Sequence, residues 1–543
     1  MKAFTGTWQL IKLALRRDRI KLPAWIIINS SLVAVSIPAI KDAFPALEDQ
    51  ITYAATVANS VVSRMFEGAV DGPSIGSIIS TELFVFMAVL MAFMSTLAVV
   101  RHTRQNEETG SGELISSTAV GRYASLTAAL AVAIGANIVT GLLIFIALAQ
   151  SPDLSTQGAL GFGVALASVG IAFAGIAALA AQVAESSRGA NSLAGTTIGI
   201  AYIFRAIGDG FGSVDNTSLG VESMWVSWLS PIGWGQQVFP FTRENWWIFW
   251  IFAGFILAIT GVVFMVLKRR DVGLGLVPSR KGPARGAKWL LNPFGISWRL
   301  QRGVLYGWTI GFVVYGALIG GVAKEFEELI AENEMMQEFI GSANATAEFS
   351  DLLFSGFYIY VGAIAVGYVA QALLKMRSEE VKGHLENVAS TAVGRMRWMV
   401  SHIVWIVLGA ALIMFTAGVA TGTVHALVSD AGWNEPLRIG LIGLAQLPPI
   451  LAIAGAIALV YGLRSSWSTI FAWGSFVGVL VITQLGALLR FPQWVMNISP
   501  FGHMSNYPVE PLARTPIVVM LIFALVTIVL GLVAFRNRDI ETT

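Results

Sequence analysis

Long apolar runs alternate with short polar segments along the whole chain. About 20 apolar residues in a row suffice to cross a bilayer as a helix, so each run predicts a span. The runs fall at residues 22–40, 79–100, 123–149, 158–184, 193–207 and 247–267, and again at 304–322, 352–374, 398–427, 437–463, 468–489 and 516–535. The expectation is twelve transmembrane helices, six on each side of a stretch rich in Gly, Pro, Lys and Arg. Gly and Ala are dense in spans three to five, which permits close helix approach where lipid offers no hydrophobic drive for association. Pro448-Pro449 interrupts span ten and predicts a kink there.

Composition agrees with this pattern and narrows it. The chain has 543 residues, 55% hydrophobic and 13% charged, with a mean hydropathy of +0.70, whereas soluble domains carry roughly 25% charged residues. The fold class expected is all-α and integral to the membrane, with no polar block large enough for a soluble catalytic domain. Cysteine is absent, which excludes disulfides and cysteine-based metal or thiolate chemistry. The first apolar run is longer than a signal-peptide core and lacks a convincing cleavage site, so it is read as a retained span.

Charge assigns sides. With twelve spans and both ends inside, inner segments hold 27 of the 35 Lys and Arg and 11 of the 33 Asp and Glu. Basic residues favour the cytoplasmic side, which places both termini in the cytoplasm. Residues 1–21 interleave Trp8, Leu10, Ile11, Leu13 and Leu15 with Lys12, Arg16, Arg17, Arg19 and Lys21, a pattern suited to an amphipathic helix on the inner surface. Outer amphipathic helices are expected within residues 51–66 and within the acidic stretch 324–351. The tryptophans of residues 209–246 suit an interface.

One polar segment occurs twice. Arg104-x-x-Glu107-x-x-Gly110-x-x-Glu113-x-x-x-Ser117-Thr118-Ala119-Val120-Gly121-Arg122 returns as Arg377-x-x-Glu380-x-x-Gly383-x-x-Glu386-x-x-x-Ser390-Thr391-Ala392-Val393-Gly394-Arg395, with ten positions matching at an offset of 273. Three further landmarks repeat in the same order: Arg16, Arg19 and Trp25 as Arg299, Arg302 and Trp308; Ser230-Pro231 as Ser499-Pro500; and Arg270-Asp271 as Arg538-Asp539. Similar offsets throughout argue for duplication. Both loops lie inside, so an even number of spans separates them and the repeat is parallel rather than inverted. The domains expected are a six-span half at 1–267, a cytoplasmic linker at 268–295 and a second six-span half at 296–543.

In each loop a glycine precedes a stretch long enough for a short helix, and the Ser-Thr pair is expected to cap the helix that follows. A tight turn preserved by duplication explains the glycine and the hydroxyls. It does not explain acidic residues kept at Glu107/Glu380 and Glu113/Glu386 on a surface where basic residues are the default, which favours a pair of partner-facing helices. The second copy departs from the first, with Val381 in place of Glu108 and Lys382 and His384 in place of Thr109 and Ser111.

With these residues the chain resembles the permease subunits of type-2 ABC exporters, in the fused twelve-span form described for actinobacterial exporters of polyketide antibiotics and other drugs. The resemblance implies that each loop is a coupling helix docked on a separate ATPase subunit, with Arg104, Glu107, Glu108, Gly110 and Glu113 in one contact and Arg377, Glu380, Gly383 and Glu386 in the other. It implies two ATPase copies that bind ATP and Mg, a hydrophobic or amphipathic small-molecule substrate, alternating access, and residence in the bacterial inner membrane. No nucleic-acid partner is expected. Consistent with a separate motor, the chain has no Gly-x-x-x-x-Gly-Lys-Ser/Thr phosphate loop.

Other readings stay open at this level. Ionisable residues in spans are candidates for function, and Glu82 with Arg205 form a possible intramembrane polar pair. Asn137, Gln371, Gln446 and Gln484 suit either a cavity lining or contacts between helices. A proton- or sodium-coupled secondary transporter would want a mid-membrane carboxylate, which the spans scarcely offer. No metal spacing and no catalytic triad can be assembled, so the chain is expected not to be an enzyme and to hold no cofactor of its own.

Overall fold

The computed structural model describes residues 3–270, 274–277, 285–331, 345–429, 432–485 and 491–540. The protein is an all-α integral membrane protein: among the described residues, eleven helices are long and apolar enough to cross a bilayer. They correspond to every predicted span except the fifth. That segment is also a helix, Ser187–Gly210, 24 residues long, but it is not among the eleven. Polar residues, Arg205 and Asp209 included, dilute its apolar character.

The chain divides into two compact units, Met1–Gly282 and Pro283–Thr543. The central part of the expected linker and most of the acidic stretch after residue 331 lie outside the described residues.

In the first unit, the amphipathic helix Thr7–Arg17 precedes the spanning helix Lys21–Ala43. Its exposed Trp8, Leu13 and Leu15 alternate with basic residues, as a helix lying along an interface requires. The spans Ile75–His102, Ala124–Ala149 and Thr156–Val183 follow, with half or more of each packed in the interior. Gly141 and Gly163 meet so closely that a Cβ on Gly141 would lie 2.5 Å from the Gly163 carbonyl oxygen. Only glycine admits that approach, and it brings the helix axes together where dispersion is the main attraction. Asn137, fully buried, donates to Ser95 Oγ at 2.7 Å, so it joins two helices.

At the end opposite the repeated loop, residues 47–66 form two helices, Leu47–Asn59 and Val61–Phe66, broken at Ser60. Residues 213–222 make a small antiparallel hairpin. The Ser230-Pro231 landmark starts the helix Pro231–Gln236: Ser230 Oγ accepts from the backbone N–H groups of Ile232 and Gly233, and Pro231 occupies a first-turn position that needs no donor.

The second unit repeats the plan with changes. Here Pro293–Ala331 is one continuous 39-residue helix, where the first unit has two helices separated at Asp18. The predicted kink in span ten is a break between Glu435–Ala445 and Leu447–Leu463, with the prolines in the first turn of the second piece. Gln371 accepts from the Trp308 indole at 2.7 Å. The side chain of Gln484 lies outside the described set.

Candidate functional site

Both repeated segments fold alike. The helix Ile75–His102 passes through Thr103 into the short helix Arg104–Glu108. Gly110 then takes a left-handed conformation (φ +73°), and a six-residue helix, Ser111–Ser116, follows. In the second unit the helix Ala345–Val381 gives way to Gly383 (φ +70°) and the helix His384–Ala389. A left-handed residue ends one helix and redirects the next, and glycine adopts it without a Cβ clash.

The Ser-Thr pairs act differently from the expectation. Ser117 and Thr118 donate back to the carbonyls of Leu114 and Ile115 at 2.8 and 2.7 Å, and Ser390 and Thr391 donate to Asn387 and Val388 at 2.9 and 2.7 Å. They close the end of the short helix rather than start the next one. A six-residue helix leaves most of its carbonyls unpaired, and these hydroxyls meet that need first.

The loop acidic residues separate into two groups. Glu107 and Glu380 turn inward to the end of the last span of their own half. Glu107 accepts from Arg104 Nη1 and from Arg270 Nη2, each at 2.5 Å. Glu380, fully buried, receives both terminal nitrogens of Arg538, at 2.6 and 2.8 Å. The closing arginine of each repeat reaches the same place: Arg122 donates to the carbonyls of Leu267 and Arg270, both at 3.0 Å, and Arg395 donates to the carbonyl of Arg538 at 2.8 Å. Glu113 and Glu386 instead lie exposed on the short helices. Beside Glu113, Leu114 is 75% exposed, and Val381 near the second short helix is 43% exposed.

Other side chains tie the first loop down. Glu108 accepts the backbone N–H of Ser187 at 2.8 Å, at the start of the helix Ser187–Gly210. Arg17 donates to Asn106 at 2.6 Å. Asp18 receives Arg101 at 2.6 Å and pairs with His102 at 2.8 Å. Burial opposes ionisation of Asp18, but the hydrogen bonds from Arg101 and His102 outweigh it and hold the carboxyl below its ordinary range. In the second loop Arg377 bonds Thr469, and Glu379 is bracketed by His384 at 3.0 Å and Lys375 at 3.4 Å.

The partners Arg270 and Arg538 were visible in sequence only as a repeated Arg-Asp after each half. Nothing in their spacing marked them as contacts of glutamates some 160 residues earlier. Asp18 and Asn106 carried no signal at all.

The structure does not bring Glu82 to Arg205. Arg205, fully buried, pairs with Asp209 one turn along at 3.4 Å and donates to the carbonyls of Arg64 and Phe66, each at 3.3 Å. Glu82 lies toward the Tyr53 hydroxyl, which also donates to Glu67 at 3.1 Å. A buried guanidinium has five donors to satisfy, and carbonyls at a nearby helix end meet them better than one carboxylate on another span.

Membrane-crossing helices in two repeated halves, each with a structured loop of the same design, define a polytopic integral membrane protein. Residues 290–536 match the family described as the C-terminal domain of the multidrug efflux system permease Rv1217c. Over 540 residues the chain is 33% identical to the multidrug efflux system permease protein Rv1217c of Mycobacterium tuberculosis (strain ATCC 25618 / H37Rv), covering 99% of this chain and 96% of that protein. The chain belongs to this family of multidrug efflux permeases, and is a multi-pass transport protein rather than an enzyme.

Proposed function

We propose that this protein is the membrane-spanning subunit of an ATP-driven exporter of hydrophobic or amphipathic small molecules. It works by alternating access, and two copies of a separate ABC ATPase dock on the short helices Ser111–Ser116 and His384–Ala389. The duplicated loop carries the reading. Each copy offers a short helix with an exposed glutamate, Glu113 or Glu386, while an inward glutamate fastens the loop to its own half. An exposed carboxylate, with the exposed Leu114 beside it in the first copy, suits a protein partner with a basic rim around an apolar patch. In this reading the loops face the cytoplasm, both termini lie there, the membrane is the bacterial inner membrane, and the partner subunits bind ATP and Mg. The name of the Mycobacterium tuberculosis relative supports drugs as the substrate class.

Co-purification with the ATPase tests the docking. Glu113→Arg and Glu386→Arg are expected each to weaken the complex by about tenfold or more, the scale of a like-charge contact at an interface, with stimulated ATP hydrolysis falling in parallel. If both reversals leave the complex and the hydrolysis unchanged, the assignment is wrong.

A further inference from the structure

We infer that the pairs Glu107–Arg270 and Glu380–Arg538 are struts that carry movement of each loop to the last spanning helix of the same half. This rests on the reading of the loops as ATPase-docking elements. The arrangement occurs in both halves and has outlasted their divergence, joining residues 163 apart in one half and 158 apart in the other. In both, a second arginine of the repeat, Arg122 or Arg395, holds a backbone carbonyl at the same helix end. Each loop is thus joined to one point by a side-chain ion pair and a side-chain-to-backbone bond, a two-point linkage that resists rotation.

The surroundings indicate that load passes through these pairs. In the first half a cavity of about 130 Å³ opens between the loop and the helix ends, lined by Glu107, Gly112, Ile115, Arg122, Leu267 and Arg270. Close apolar packing does not fill that gap, and both members of the ion pair line it. In the second half the Arg538 guanidinium lies 5.3 Å from the Tyr461 ring centre and 5.0 Å from that of Phe535. Faced by two rings and bidentate to a buried carboxylate, it cannot swing away without giving up both hydrogen bonds to that carboxylate. Arg270 and Arg538 are on this account positioning residues: they touch no substrate and act by making the loop and the last span move together.

The test uses the full chain with its co-purifying ATPase in inside-out membrane vesicles, reading complex recovery, ATP hydrolysis and ethidium moved per ATP. The variants are the combined Arg270→Gln and Arg538→Gln, and two exchanged pairs: Glu107→Arg with Arg270→Glu, and Glu380→Arg with Arg538→Glu. In the combined variant the ATPase is expected to stay bound and active while ethidium moved per ATP falls about tenfold, within the range of inter-site coupling energies. At least one exchanged pair is expected to restore it. A purely structural role would lower protein yield and leave transport per ATP unchanged, and that result in an assembled complex would overturn the inference. If the combined variant does not accumulate, the exchanged pairs decide: transport near wild type supports the struts, and its loss from an intact, hydrolysing complex overturns them. Failure of docking is distinct, since it shows as indifference of the complex to Glu113→Arg and Glu386→Arg.

Discussion

In the first half Glu108 holds the start of the helix Ser187–Gly210, and Arg17 holds the loop through Asn106. In the second half Val381 stands where Glu108 would be, its side chain exposed, and the position of Asn106 is taken by Glu379, which is bound locally by Lys375 and His384. The strut differs as well. Glu107 is 20% exposed and divided between two arginines, whereas Glu380 is fully buried and receives both terminal nitrogens of Arg538. The first loop is therefore tied by side chains to three other helices, whereas the second combines one deep, bidentate ion pair with the bond from Arg377 to Thr469. One motif, copied and then diverged, has kept its hinge and its inward glutamate while changing how its load is shared.

The largest expected difference lies in the struts. Arg538→Ala removes the bidentate partner of the buried Glu380 carboxylate and should destabilise the protein by about 3–5 kcal/mol, the usual result of breaking a buried pair from one side. Arg270→Ala should cost clearly less, because Glu107 keeps Arg104 and some access to water. Thermal unfolding of the two variants compares them directly, and equal losses would break the contrast between one deep pair and shared tethers.

The hinges should show no such difference. Gly110→Ala and Gly383→Ala each force a Cβ into a left-handed conformation, with open space around both, and each should cost about 1–2 kcal/mol. Unequal values in the same unfolding assay would mean that the two turns are not the same device. Next, Glu108→Ala removes a side-chain acceptor from the start of the helix Ser187–Gly210 and should cost about 1 kcal/mol, while Val381→Glu should change little because its side chain is exposed. Protease protection of the two loops, followed separately, would read this asymmetry. The smallest effect on the isolated permease belongs to Glu113→Arg and Glu386→Arg: with both side chains exposed, its melting temperature should not move. A fall in either would show that the glutamate is part of the fold.

Much of the architecture could be read from the chain, and the reasons are local. Apolar run length alone places helix after helix, and the break at Pro448-Pro449 follows from proline lacking a donor. The turns at Gly110 and Gly383 were implied by a glycine ahead of a short polar helix, and the structure adds their left-handed conformation. The Ser-Thr pairs misled because a hydroxyl can cap either the helix before it or the one after it, and sequence does not say which carbonyls or amides are left unpaired. Glu82 and Arg205 misled for a related reason. Both lie in spans, but Arg205 finds carbonyls of the helix Val61–Phe66, which is brought to it from about 140 residues away.

By itself the sequence determined the helical membrane class, the duplication, the position of the repeated loops and the existence of their acidic short helices. These follow from run length, periodicity and self-similarity, which need no knowledge of which helices are neighbours. Only the tertiary structure decided which glutamate turns inward, that Arg270 and Arg538 receive it, and that Arg122 and Arg395 brace the same points. Such pairings depend on which helix ends meet at the surface of the bundle. The physical reason is that an ion pair is set by distance in space and by burial, and neither is written in the spacing of residues along the chain.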